Sequence, residues 1–162
     1  MTESSDLVEL KVEGLALDRE QTPVVVLREV SGARTVPIWI GQAEAHAIGI
    51  VLEGKTAPRP LSADLLRNIL DELRVSVVRL IIADARENTY YGRLFIQPEN
   101  APEKEIDCRP SDGIAIALRT NAPILMPATL IERIERERGE RDEREAAEKG
   151  RVVVDTGETT VH

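Results

Sequence analysis

The sequence predicts an α+β fold: an antiparallel-rich, mixed sheet with two buried short helices, one amphipathic helix and a charged C-terminal helix. Three observations predict it. Short runs rich in Val, Ile and Leu are separated by turn signals, as strands are. Two stretches dense in Ala and Gly follow strand-like segments at matching places. One segment repeats apolar residues every four positions, which is helical spacing.

Each element has its own warrant. TPVVVLREV (22–30) is β-branched, SGAR is a turn signal, and TVPIWIG (35–41) completes a hairpin. AEAHAIGIVLEG (43–54) reads as a short helix with Gly54 as C-cap. LSADLLRNILDEL (61–73) is the clearest helix, with Leu61, Leu65, Ile69 and Leu73 in one stripe that Leu66 and Leu70 widen. Pro58 and Pro60 precede it, and Ser62 has the chemistry of an N-cap. VSVVRLIIAD (75–84), TYYGRLFIQ (89–97) and EKEIDCR (103–109) read as three strands, SDGIAIALRTN (111–121) as the second short helix, and APILM (122–126) as a closing strand.

An internal duplication of a strand–strand–helix unit is expected. Setting Glu44 opposite Asp112, an offset of 68, aligns Ile38 with Ile106, Ala47 with Ala115 and Ile48 with Ile116. Both short helices are apolar nearly all round, which predicts burial on several sides.

A chain of 162 residues with 42% hydrophobic and 31% charged residues can bury a real core. Aromatics are 2%, too few for an extended base-stacking platform, and the net charge of −8 excludes a general polyanion-binding surface. One cysteine, Cys108, leaves no internal disulfide, and with one interior histidine, His46, no zinc site is expected; nor is a nucleotide cofactor. No apolar run approaches the ~20 residues of a membrane span. The N-terminus has no basic-then-apolar pattern. The expectation is a cytoplasmic protein without membrane partners.

Composition breaks near residue 130, giving a compact domain over 1–130 and a charged helical tail over 131–162. Residues 131–149 hold eight acidic and six basic side chains, and a helix polar all round is expected to be solvated and partly disordered. Thr129 and Glu132 form a capping-box pattern at its start. RVVVD (151–155) is a candidate edge strand.

Four stretches, VPIWIGQAEAHAIGIVLEG, PRPLSADLL, ADARENTYYGRL and IDCRPSDGIAIALR, resemble in order the signature blocks of the bifunctional nuclease domain family. The resemblance covers residues 7–130 and implies an activity on RNA and DNA. Family members commonly carry a histidine where this sequence has Ala63, so a general base at that place is missing here. TYYG stands where Thr-Phe-Tyr-Ala is usual.

Phosphodiester hydrolysis needs an activated water and a neutralised phosphate, which carboxylate-bound Mg²⁺ or Mn²⁺ can supply. The carboxylates on the resembling blocks are Glu44, Asp64, Asp84, Asp107 and Asp112, with Asp107 and Asp112 as candidate metal ligands. Arg109 and Arg119 can clamp a phosphate bidentately, and Ser111 and one of Tyr90 and Tyr91, taken as Tyr91, complete a substrate set. Helix capping explains Glu44, Asp64 and Asp112 equally well. Asp107 has Trp39 as its counterpart in the first unit, and strand alternation puts Asp107 and Arg109 on one face. His46 and Trp39 are expected to be packed, His46 in the core and Trp39 in the core or an interface, and Cys108 to be an inert buried thiol. The leading expectation is a nuclease hydrolysing RNA or DNA. The alternative is a non-catalytic oligomeric binding or regulatory module, and the Ala-rich helices suggest a homo-oligomer in either case.

Overall fold

The computed structural model describes residues 6–150. The chain runs as two three-stranded meanders, each ending in a strand that turns into a helix. Strands β1 (Leu7–Leu17), β2 (Pro23–Glu29) and β3 (Thr35–Trp39) lead into α1 (Gln42–Leu52). After α2 (Ser62–Glu72), strands β4 (Val75–Arg86), β5 (Thr89–Pro98) and β6 (Lys104–Cys108) lead into α3 (Pro110–Thr120). A last strand, β7 (Ile124–Pro127), and a long helix, α4 (Ala128–Gly150), follow.

All seven strands form one sheet in the order β3-β2-β1-β7-β4-β5-β6. Every pairing is antiparallel except β4 with β7, where Leu80 lies opposite Ile124, so the sheet is mixed. β7 is the seam between the meanders. Pro37 is tolerated in β3 because β3 is an edge strand, where a missing N–H breaks no ladder. β4 and β5 join through Glu87 and Asn88, both at positive φ, the backbone that a two-residue hairpin requires. The sheet curls enough for the Tyr90 hydroxyl on β5 to reach the Pro37 carbonyl on β3, at 3.3 Å.

β1 was not anticipated as a strand, although it sits near the middle of the sheet between β2 and β7. Its alternation is real: Leu10 is buried between exposed Glu9 and Lys11.

The core is aliphatic, with Leu10, Leu27, Ile48, Leu80, Ile82, Ile114, Met126 and Ile131 fully buried. α3 is the buried helix that its sequence predicts, seven of its residues being inaccessible. Gly113 lets α3 lie against the Leu80 side chain, and Asn121 closes the helix in the left-handed conformation.

Several local expectations need correction. α1 is not buried on several sides; only Ile48 is, because α1 packs on α3 and on β1 and β2 and leaves its outer side to solvent. α2 is amphipathic but turned the other way round: Leu65, Leu66, Ile69 and Leu73 are all exposed, while Ala63 is buried. Its inward side carries Asp64, drawn to Arg119 of α3. The N-cap of α2 is Leu61 rather than Ser62, and Glu53 caps α1, with Gly54 following at positive φ. Thr129 lies inside the first turn of α4, not at its cap.

α4 is one 23-residue helix. Its first turns bury Leu130, Ile131 and Ile134 in the core, so packed side chains continue past the composition break at residue 130. Arg133 ties it to the β4–β5 hairpin, donating to the Asp84 carboxylate at 3.0 Å and the Ala85 carbonyl at 2.7 Å. The candidate strand 151–155 lies outside the described residues.

Candidate functional site

The two strand-to-helix corners meet. Gly41 and Arg109, the residues before α1 and α3, both have extended backbone, and each helix starts abruptly after them. α3 opens on Pro110, which has no N–H, and the Asp112 and Gly113 N–H groups already donate to the Arg109 carbonyl, so the charge offered to an anion here is mainly that of the Arg109 side chain. Arg109 bridges the corner. Its Nε and Nη2 donate to the two Asp112 carboxylate oxygens at 2.8 and 3.0 Å, and its Nη1 lies 3.1 Å from Glu44 Oε1. The Arg109 side chain remains 65% exposed, against 43% for Asp112 and 21% for Glu44. Hydrogen bonding to Asp112 holds the guanidinium firmly in its charged form. The Glu44 carboxylate folds back over Gly41, so a side chain at that place would push the carboxylate aside.

Clefts open on both sides of this bridge. One, of about 490 Å³, is bounded by Ile40, Glu44, Thr89, Tyr90, Arg109 and Ser111. The other, of about 300 Å³, runs between α1 and α2 and is bounded by Glu44, His46, Ala63, Leu66, Arg109 and Asp112. Glu44, Arg109 and Ser111 belong to both.

The structure thus brings together Glu44, Arg109, Ser111 and Asp112, and separates the rest of the predicted set. Asp107 is exposed on the edge strand β6, opposite Arg93 in the ladder. Asp107 lines neither cleft, and Arg109 pairs with Glu44 and Asp112 instead. Asp64 and Arg119 hold each other instead of a substrate, at 2.7 Å, with Arg119 only 3% exposed. Burial raises the Asp64 pKa, but bonds from Arg119 and the Leu61 N–H outweigh it and leave the pKa lowered. Asp84 accepts from Arg86, Arg133 and the Ala85 N–H, and its pKa falls to about 2. It is a docking point for α4. Ser111 is buried at 7% exposure. Tyr91 is exposed away from both clefts, and it is Tyr90 that lines one of them.

Three further expectations change. His46 is exposed in the second cleft rather than buried in the core. Trp39 is 48% exposed, its Nε1 donating to Asp18 at 3.0 Å. The alternation Val36, Ile38, Ile40 inward already implied that Trp39 faces the other way. Cys108 is half-buried against Gly92 and Gly113, and burial pushes its thiol up to about 11, far from reactive.

Among the described residues no three His, Cys, Asp or Glu side chains converge as a metal site. Glu44 and Asp112 already neutralise Arg109, and Asp107 lies apart on β6. Glu44 and Asp112 are the pair that would hold a Mg²⁺ or Mn²⁺, since such an ion takes one or two carboxylates and completes its shell with water and substrate phosphate.

Comparison with known proteins decides the family. The bifunctional nuclease domain matches residues 25–138, from β2 to the third turn of α4. The chain belongs to the bifunctional nuclease domain family. Two relatives, the uncharacterized proteins MT1877 and Rv1829 of Mycobacterium tuberculosis (strains CDC 1551 / Oshkosh and H37Rv), are each 39% identical over 124 residues, covering 76% of this chain and 73% of theirs. The bifunctional nuclease domain contains the whole Arg109 corner, both clefts and the buried start of α4. Ala63, where the resemblance leads one to expect histidine, lines the second cleft facing this corner. Among the described residues no helix is long and apolar enough to cross a membrane.

Proposed function

We propose that this member of the family hydrolyses RNA or DNA phosphodiester bonds at the Arg109 corner. The observation that carries the reading is a half-exposed guanidinium, held by two carboxylates, where two helix N-termini open into paired clefts. An entering phosphate competes for the Arg109 guanidinium with Glu44 and Asp112. A carboxylate displaced from Arg109 becomes a free acceptor beside the phosphorus. It takes a proton from the attacking water as the new P–O bond forms and the old one breaks. The leaving oxygen takes up a proton as it departs, and His46, which lines the adjoining cleft and is the one imidazole among the described residues, is assigned as its donor in this proposal. Mg²⁺ or Mn²⁺ enters only as a variable of the assay. Glu44, Asp112 and Arg109 form the core of the proposal, Ser111 supports the corner, and Asp107 is left as an outlying carboxylate. The shared layout of the two meanders, with Gln42 and Pro110 opening helices of equal length 68 residues apart, supports descent from one duplicated unit.

The test is incubation of the purified chain with end-labelled single-stranded RNA and DNA in Mg²⁺, Mn²⁺ or EDTA. Scission products above the buffer blank are expected; no product under any of the three conditions contradicts the reading.

A second reading, an oligomeric binding or regulatory module, is favoured by one observation. α2 presents Leu65, Leu66, Ile69 and Leu73 to solvent as a continuous stripe, and such a stripe asks for a partner. A second copy of the chain is the occupant we propose; Leu66 also borders the second cleft, so such a copy would sit beside the Arg109 corner.

A further inference from the structure

The cleft beside Arg109 does not end at Tyr90. A third hollow, of about 320 Å³, adjoins it and shares Trp39, Asn88 and Tyr90 as a common wall. Its other side is built by α4, with Ile134 at the base and Arg138 and Arg141 at the rim. The indole of Trp39 is half exposed yet fixed at its edge, since Asp18 accepts from its Nε1 with one oxygen while the other caps the β1–β2 turn through Glu20 and Thr22. Tyr90 is likewise pinned by its hydroxyl to Pro37. Two rings held by their polar ends present preorganised flat faces, which lowers the ordering cost of binding another flat group.

We infer that this hollow is a nucleobase subsite, in which a base of single-stranded nucleic acid lies against Trp39 and Tyr90 while the neighbouring phosphate reaches Arg109. The inference rests on the nuclease reading for the phosphate and adds the class of substrate: an unpaired strand, because a base inside a duplex cannot offer its face to an indole. Charge supports stacking over phosphate capture here. Glu87 and Glu137 line the same hollow as Arg138 and Arg141, so the rim is nearly neutral. The base's share of the affinity then comes from the rings, and the salt dependence comes from the one phosphate at Arg109. This also reconciles a net charge of −8 with a nucleic-acid substrate: the surface repels polyanions at large, and one strand is held locally.

Trp39 is the only tryptophan in the chain, so its emission reports the wall that this subsite shares with the Arg109 cleft, and the abasic strand separates base stacking from phosphate binding there. The full-length protein is titrated in EDTA with a short phosphorothioate oligothymidylate, its abasic counterpart, and a blunt duplex. The expected result is a saturable change in emission with the oligothymidylate and none with the other two. Binding of a labelled oligothymidylate, read by anisotropy, is expected to weaken roughly tenfold in Trp39→Leu. An equal response to the abasic strand or the duplex, or unchanged binding by Trp39→Leu, overturns the inference. Cleavage without a Trp39 response sinks the subsite and leaves the nuclease reading; a Trp39 response without cleavage does the reverse.

Discussion

Arg109 and Arg119 begin and end the same helix and were both assigned to phosphate binding, yet only one can reach a phosphate. Arg119 is 3% exposed and spends its Nε on Asp64 and its Nη1 on the Ala115 carbonyl. Arg109 is 65% exposed and holds two carboxylates at a cleft mouth. Spacing alone could not separate them, since both lie on a polar boundary of an apolar helix. What separates them is the inward turn of α2, which supplies Asp64 as a buried partner. Removing one member of a largely buried pair strands the other, so Arg119→Ala is expected to cost about 3 kcal/mol in urea unfolding followed by circular dichroism. Arg109→Ala should change stability by less than about 0.5 kcal/mol, because its ion pairs are solvent-screened. Equal stability of the Arg119 variant and the parent would contradict this division. The charge gathered at the mouth of α3 was legible in the sequence; its partner was not.

The same contrast holds for whole elements. The strands of the second meander and the buried character of α3 follow directly from β-branched runs and from Ala and Gly. β1 went unread because its charged alternation looks polar when only one side of a strand is buried. α4 looked like a solvated tail because its charged run conceals three early apolar residues and one arginine with a fixed partner. That partner, Asp84, gives α4 a pH dependence. The Asp84 carboxylate titrates at about 2 in the fold, against 3.8 for the free side chain. Its contribution is therefore complete above about pH 4 and is lost as pH falls through the folded value near 2. In denaturant unfolding, the stability gap between the parent and Asp84→Asn is expected to stay constant above pH 4 and to close between pH 4 and 2. A gap that persists at pH 2 would mean Asp84 acts through shape and not through charge.

At the scale of the molecule, the sequence specified the α+β class and the two-unit order, but not how the sheet curls to bring β3 near β5. That curl depends on contacts far apart in the chain, such as Tyr90 with Pro37, and no local pattern encodes it. It also brings Trp39 and Tyr90 to one cleft wall, which no local pattern shows, whereas Glu44, Arg109 and Asp112 are gathered by the two strand-to-helix corners that the sequence marks. The leucine stripe on α2 follows from its helical spacing; as an exposed face it predicts self-association. Size-exclusion chromatography with light scattering should show a dimer or larger assembly that Ile69→Glu reduces, and a monomeric parent would dismiss the stripe as an interface. The central claim, that the Arg109 corner cleaves phosphodiesters, is tested most directly by single-turnover cleavage of a labelled single-stranded RNA by the parent and by Arg109→Ala of equal stability. Loss of a charged phosphate clamp is expected to slow cleavage by about a hundredfold or more. Cleavage at the parental rate by the Arg109 variant would place the chemistry elsewhere.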